Sequence, residues 1–361
     1  MKKYSDCPNN NFNASIKRDY RIRIPLPRGL AENAMPMDFG CVYGEVTTCQ
    51  KSAALFDYSF LLRALIKGPD AVQGVSEICG RDFSDLRVGG IRYGLLTDRD
   101  GWLISDLTIW RSKIDHLEVI AGGVGDLADI KKALIGYNLT IVDLSEDTAV
   151  FSVQGPKTNL VLSKIAENIN MSKIPYFSFR DINLAGAACR VGRLGYTGLD
   201  GVEILCAVED AARLWELLSE RITPAGFSAA NYLRLKAGLP LFTNEFKPLV
   251  SAADIGLRRV RPQGNLPADC RAPRASRICF SARFGSSSGG SKKTISSLLW
   301  TPEDEFPPEP GRLAVTSIIE DLISDKHIGM GYVAFSQIGK PKLSPSSFLK
   351  NIRVTQEFFN R

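Results

Sequence analysis

"GWLISDLTIW", Gly101–Trp110, has the two-residue alternation of a β-strand and a carboxylate at its centre. Side chains on a strand alternate between faces. Trp102, Ile104, Asp106, Thr108 and Trp110 therefore share one side, and Leu103, Ser105, Leu107 and Ile109 the other. Both sides are largely apolar, which predicts a strand covered on both faces. An isolated buried carboxylate is costly without a partner. Either the fold or a ligand must satisfy Asp106, unless the residue sits at a strand edge and turns to solvent.

Working outward, "LRALIKG", "IRYGLLTD" and "HLEVIAG" also read as strands, and the short "TDRDG" connection predicts antiparallel pairing. "DAVQGVSEIC" sets Val72, Val75 and Ile78 at helical spacing, and "DLADIKKALI" does the same with Leu127, Ile130 and Leu134. A similar order follows. "TAVFSVQG", "INLAGAACRVGRLGYTG" and "VEILCAV" predict strands. "EDAARLWELLSER" predicts an amphipathic helix with Leu214, Trp215, Leu217 and Leu218 on its apolar side. "NYLRLKAGLPLF" begins as a helix that Gly238 and Pro240 end. Strands followed by a helix, twice over, predict an α+β architecture with two related sub-domains, 36–150 and 151–257. Residues 1–35 are expected to form an extended N-terminal arm, and 301–361 a small C-terminal β-domain.

The 361 residues allow two or three domains and an ample core. The formal charge of +6 is mild and does not by itself indicate nucleic acid. Much of the excess lies between Arg258 and Lys293, where nine Lys or Arg face one acid, Asp269. The segment 258–300 has neither helical nor strand period. It is expected to be a basic irregular linker. A nucleic-acid patch and a stretch not read in its ancestral frame are the other readings. The first has few interleaved aromatics to support it. The eight cysteines form no C-x-x-C pair, and several sit in apolar runs such as "EILCAV". They predict buried free thiols in a reducing cytoplasm. With two histidines, a histidine-based metal site or a Ser-His-Asp triad is not expected. "MKKYSDCPNNNF" lacks the apolar core of a signal peptide, and no apolar run is long enough to span a membrane.

Five motifs, in order, resemble the glycine-cleavage T-protein (aminomethyltransferase) family, which includes folate-dependent demethylases and the folate domains of sarcosine and dimethylglycine oxidases. "ALFDYS" (54–59) resembles its L-F-D-x-S strand. "IRYGLLTDRDGWLISDL" (91–107) resembles its Y-x-x-L-x-x-x-G-G-x-x-D-D-L segment. "VQGP" (153–156), "RLGYTGLDGVEI" (193–204) and "LRLKAGLPLF" (233–242) follow. The resemblance implies an aminomethyltransferase-like fold and tetrahydrofolate as cofactor. It implies that Asp106 is the essential carboxylate beside the one-carbon unit, and that Glu203 accepts the amino group and adjacent N–H of a pterin ring. Two-pronged acceptance of that kind suits a carboxylate. Tyr93, Tyr196, Leu61 and Gly195 are implied to line the folate.

The chain departs from the family pattern at several points. The paired aspartates read Ser105–Asp106, and an expected Asn falls at Ala121 or Gly122. An Arg-Asp pair reads Ala230–Asn231, the glutamate of the following helix is Lys236, and a D-F-I-G-R motif is not visible in 261–300. These changes point away from a standard glycine-cleavage component. They fit better a relative that takes a methyl or aminomethyl group from a small methylated amine, sulfonium or ether, with an aminomethyltransferase of glycine-cleavage type kept open beside it. A folate-binding, non-catalytic paralogue is the alternative, and a structural or RNA-associated role for the basic stretch is a third. The sequence leaves the oligomeric state open.

Overall fold

The computed structural model describes residues 36–122, 125–165, 170–246, 249–257, 272–284, 299–301, 304–337 and 349–357. The expected arm 1–35 lies outside them, as does most of the basic stretch.

The first half of the described chain runs α1 (Val42–Lys51), β1 (Ala54–Asp57), β2 (Leu62–Lys67), α2 (Ala71–Ile78), β3 (Ile91–Thr97), β4 (Leu103–Lys113), β5 (His116–Ala121), α3 (Asp126–Ala133) and β6 (Thr140–Asp143). Then come β7 (Thr148–Gln154), α4 (Thr158–Ile165), β8 (Phe179–Leu184), β9 (Ala187–Gly192), β10 (Gly201–Ala207), α5 (Val208–Ser219), β11 (Thr223–Pro224), α6 (Phe227–Ala237) and α7 (Phe242–Glu245). The C-terminal part holds β12 (Ala275–Phe284), β13 (Ala314–Glu320), β14 (His327–Ala334) and β15 (Leu349–Glu357).

These strands make three sheets. One has five strands in the order β3-β4-β5-β2-β6, one has six in the order β11-β1-β7-β10-β9-β8, and one has four in the order β13-β14-β12-β15. All pairings are antiparallel except β1 with β11. β1, from the first segment of the chain, belongs to the six-stranded sheet, and the division at residue 150 falls inside β7.

The opening stretch becomes β4, a central strand of the five-stranded sheet. Its Leu107 and Ile109 pack with Val75 of α2 and Ile130 and Leu134 beside α3. Its opposite face carries Asp106, Thr108 and Trp110. Trp110 packs into a second core with Phe56, Val150 and Phe179 of the six-stranded sheet, its ring centre 5.5 Å from that of Phe179. The six-stranded sheet is built the same way. Its outer face (Leu55, Phe151, Val153, Ile204) meets Leu214, Trp215 and Leu218 of α5. The two sheets thus face each other, each backed by helices, and α6 contributes Ala230, Tyr232 and Leu233 to the core between them.

Two expectations need correction. The segment 258–300 is not irregular throughout, because Ala275–Phe284 forms β12, paired with both β14 and β15. Its arginines disguised it. Arg277 is buried, with its guanidinium donating to the carbonyls of Gly238 (2.8 Å) and Ile255 (3.1 Å). The free-thiol expectation holds for Cys49, Cys79, Cys189, Cys206 and Cys279, all buried. It fails for Cys41, which is disulfide-bonded. Among the described residues, no helix is long and apolar enough to cross a membrane.

Candidate functional site

Between the two facing sheets lies a cavity of about 430 Å³, closed on one side by α6 and the segment 239–242. Asp106, Glu203, Tyr196, Tyr93, Leu61 and Gly195 all line it. The fold therefore brings together every site residue picked out from the sequence. Strand register explains how. Asp106 pairs with Leu95 across β3, and Tyr93 is two residues along on the same face. Glu203 pairs with Ser152 of β7 and Gly192 of β9, in the opposite sheet.

The two carboxylates have different surroundings. The Tyr93 hydroxyl donates to Asp106 Oδ2 at 2.9 Å. Burial nevertheless lifts the Asp106 pKa to about 6; the Tyr93 bond opposes that rise, and the charge of Asp126 adds to it. Glu203 is 7% exposed and has no hydrogen-bond partner among the described residues. Burial alone pushes it up to about 7. Both acids therefore titrate near neutrality. A neighbouring acid completes the Asp106 end: Ser105, where the family pattern has an aspartate, donates to Asp126 Oδ2 at 2.6 Å.

Local packing sets the aromatic walls. The Gln154 amide donates to Ser152 Oγ (2.9 Å) and to the Leu194 carbonyl (3.1 Å), and it accepts from Thr197 Oγ1 (3.1 Å). That clamp holds the 194–197 turn, which presents Tyr196. Gly195 is required there, since a Cβ would fall 1.9 Å from Gln154 Oε1. The Tyr196 hydroxyl donates to the Pro240 carbonyl. On the Asp106 side, a Cβ on Gly122 would lie 2.1 Å from the Phe242 ring. An Asn side chain does not fit at 122, and the Phe242 ring occupies that space.

Two contributors were not singled out in the sequence. Tyr58 lines the cavity, and its buried hydroxyl has no hydrogen-bond partner among the described residues. The Phe56–Tyr58–Phe60 alternation at the end of β1 was its only signal. Arg277 is a buried cation whose charge opposes the upward pKa shifts of Tyr93 and Tyr196. In the sequence it lies within the basic stretch expected to be an irregular linker. A separate cleft of about 560 Å³ opens elsewhere between the sheets, lined by Arg63, Glu118, Asp181 and Arg190. Its polar groups are already engaged: Arg190 pairs with Asp181 at 2.7 Å and also with Glu118, and Arg63 donates to Thr148 Oγ1 (2.7 Å) and the Ser59 carbonyl (3.1 Å). The 430 Å³ cavity, with open acid groups, is the better candidate.

An apolar cavity of this size, with a few convergent polar groups, is the candidate small-molecule site of this α+β protein. Residues 29–261 match the GCVT N-terminal domain. That is more than half of the 361 residues, and the chain belongs to this family. An aminomethyltransferase of Caldanaerobacter subterraneus subsp. tengcongensis is 32% identical over 233 residues, covering 62% of each chain. One from Bacillus cereus is 34% identical over 232 residues, covering 62% of this chain and 63% of the other. This chain thus spans 62–63% of the length of these curated relatives. Among solved structures, the glycine cleavage system aminomethyltransferase T of Bartonella henselae superimposes with a TM-score of 0.68 at 23% identity, over 85% of this chain and 86% of that one. The architecture is the same α+β fold.

Proposed function

We propose that this protein moves a one-carbon group from a small methylated or aminomethylated donor to tetrahydrofolate in the cavity between Asp106 and Glu203. The observation that carries the reading is the convergence of these two acids, from separate sheets, on one aromatic-walled cavity.

The residues suit the cofactor. Glu203, buried and without a side-chain partner among the described residues, matches the paired N–H donors of a pterin edge. Tyr196, Phe177 and Tyr93 provide ring faces for a flat heterocycle. Glu203 would orient the ring, and the aromatic walls would exclude water. Tetrahydrofolate, when bound, supplies the nucleophilic nitrogen and carries the carbon away.

Asp106 does the proton work. Ionised, it favours a cationic donor, and Tyr93 and Phe242 add ring faces that attract such a cation. Its raised pKa suits it to take up the proton released from the acceptor nitrogen as that nitrogen gains carbon. Tyr93 holds the carboxylate oxygen in place through their hydrogen bond. The replacement of an expected polar side chain by Phe242 against Gly122 makes this end more apolar. That favours small methylated amines and sulfoniums over a donor tethered to another protein.

The test is incubation of the protein with tetrahydrofolate and a panel of methylated amines and sulfoniums, following loss of tetrahydrofolate. Asp106→Asn is expected to slow transfer by roughly 10²–10⁴-fold, the usual scale for losing a positioned acid–base group, while leaving tetrahydrofolate binding in place. No turnover with any donor, alongside intact binding, would identify a non-catalytic folate binder instead.

A further inference from the structure

Asp106 pairs with Leu95 of β3, and its neighbour Leu107 pairs with Ala121 of β5. Carrying the second register one residue further sets Gly122 directly across from Asp106, on the same face. Facing residues on adjacent strands hold their Cβ atoms about 4.5–5.5 Å apart. Gly122 has no Cβ, and another element fills the space. The three atoms nearest to where that Cβ would stand all belong to the Phe242 ring, at 2.1, 2.4 and 2.7 Å. Phe242, the first residue of α7, therefore stands beside Asp106 in place of a side chain from β5, and both line the cavity. The ring is fixed from behind, where it packs against the cluster of Leu95, Leu103, Phe246 and Val250. Its backbone is fixed as well. The Phe242 carbonyl accepts from the Phe246 N–H (3.2 Å), and the Leu241 N–H donates to Glu245 Oε2 (2.7 Å). Glu245 in turn is held by Thr316 Oγ1 of β13 (2.8 Å), and its carbonyl accepts from the Tyr332 hydroxyl of β14 (2.8 Å).

Resting on the one-carbon transfer proposed for this cavity, we propose that Phe242 is a specificity-determining residue whose fixed ring limits the groups a donor carries beside Asp106 to the size of methyl. Tetrahydrofolate takes part of the cavity's volume of about 430 Å³. The donor is left the end bounded by Asp106, Tyr93 and Phe242. Tyr93 is tied to Asp106 by its hydroxyl (2.9 Å), so that wall does not swing away without breaking a hydrogen bond. A close-packed wall that does not shift turns each added methylene into a clash. The selection is by shape. Phe242 offers no polar group, so it acts alike on amine and sulfonium donors. The size limit is thus set by a helix anchored on the C-terminal sheet and not by the strand that carries Asp106.

The experiment measures kcat/KM on the full chain with tetrahydrofolate and homologous donors. One methyl is kept for transfer, while the other groups on nitrogen or sulfur are lengthened from methyl to ethyl to propyl. The parent should lose at least about ten-fold at the first added methylene, the scale on which an apolar pocket counts one such group. Phe242→Leu keeps an apolar side chain against the core and removes the far edge of the ring. It should return about ten-fold to the ethyl homologue relative to the methyl donor. Gly122→Ala drives the ring toward the donor and should slow even the methyl donor about ten-fold. With Phe242→Ala already in place, the same Gly122→Ala should cost less than about two-fold, because the ring it meets is gone. The profile is a ratio between donors on one preparation, so partial unfolding of a variant does not mimic it. A parent that accepts propyl as readily as methyl overturns the proposal and leaves the transfer reading standing. So does an unchanged profile in both Phe242→Leu and Phe242→Ala, or a Gly122→Ala cost that is the same with and without the ring. No turnover of any donor overturns the transfer reading, and this proposal with it.

Discussion

Two buried glutamates divide the molecule by purpose. Glu245, at the end of α7, is 0% exposed. It accepts from Arg234 Nη1 (2.7 Å), the Leu241 N–H (2.7 Å), Thr316 Oγ1 (2.8 Å) and Ser317 Oγ (2.5 Å). Arg234 in turn donates to Asn231, Ser317 and the Leu239 carbonyl. This saturated network ties α6 and α7 to β13 of the C-terminal sheet. Glu203 has almost the same burial and no such partners. A satisfied carboxylate in a core fastens elements together. An unsatisfied one at a cavity wall raises the energy of the empty site and is relieved by a ligand with N–H donors.

The largest effect that separates the two regions is on stability. Glu245→Ala leaves Arg234 buried without its carboxylate and should cost about 3–5 kcal/mol, read as a lower denaturation midpoint at unchanged slope. Glu203→Gln removes no protein contact and should leave the midpoint unchanged or raised. Equal destabilisation by the two would break the comparison.

The next effect concerns the other cavity acid. Tyr93→Phe deletes the hydrogen bond to Asp106 Oδ2 and with it the largest opposition to the burial shift. The acid limb of the pH–rate profile, near pH 6 for the parent, should move up by about one unit, and the rate at neutral pH should fall about ten-fold.

The smallest effect is on protons. Glu203 holds its proton up to about pH 7 in the fold, against 4.5 ordinarily. Across that window the unfolded chain has already released the proton, so stability falls as pH rises from 4.5 to 7. Above it this group adds no further slope. Asp106 and Glu45 are shifted in the same direction. The difference between the parent and Glu203→Gln therefore isolates the contribution of Glu203. Ligand N–H donors favour the ionised form, so tetrahydrofolate should bind more tightly as pH rises toward 7 and release a proton on binding below it. Calorimetry in buffers of different ionisation enthalpy measures that proton, and Glu203→Gln should abolish it.

Much of this was legible from residue order. The period-two alternation around Asp106, the helical spacing before Ile78 and along α5, and the stop at Gly238 are local signals, and each element formed where its pattern stood. β12 was hidden for a physical reason. Arg277 looks solvated in a row of basic residues, yet carbonyls from Gly238 and Ile255 reach it only after the chain has folded back. The break between β8 and β9, and the exit of the chain from the sheet after Gly192, were likewise folded into one long strand pattern. Glu45 gave no sign that it would be buried on the N–H groups of Phe39 and Gly226, the latter far along the chain.

By itself the sequence determined which residues alternate, which carboxylates sit among apolar neighbours, and which family pattern they follow, because strand and helix periods are set by bonds a few residues apart. Only the tertiary structure decided that Asp106 and Glu203 line one cavity, and that Glu245 is saturated where Glu203 is open. Those facts depend on how two sheets, a helix and a C-terminal strand pack against one another. Such contacts join residues far apart in the chain, and no local period encodes them.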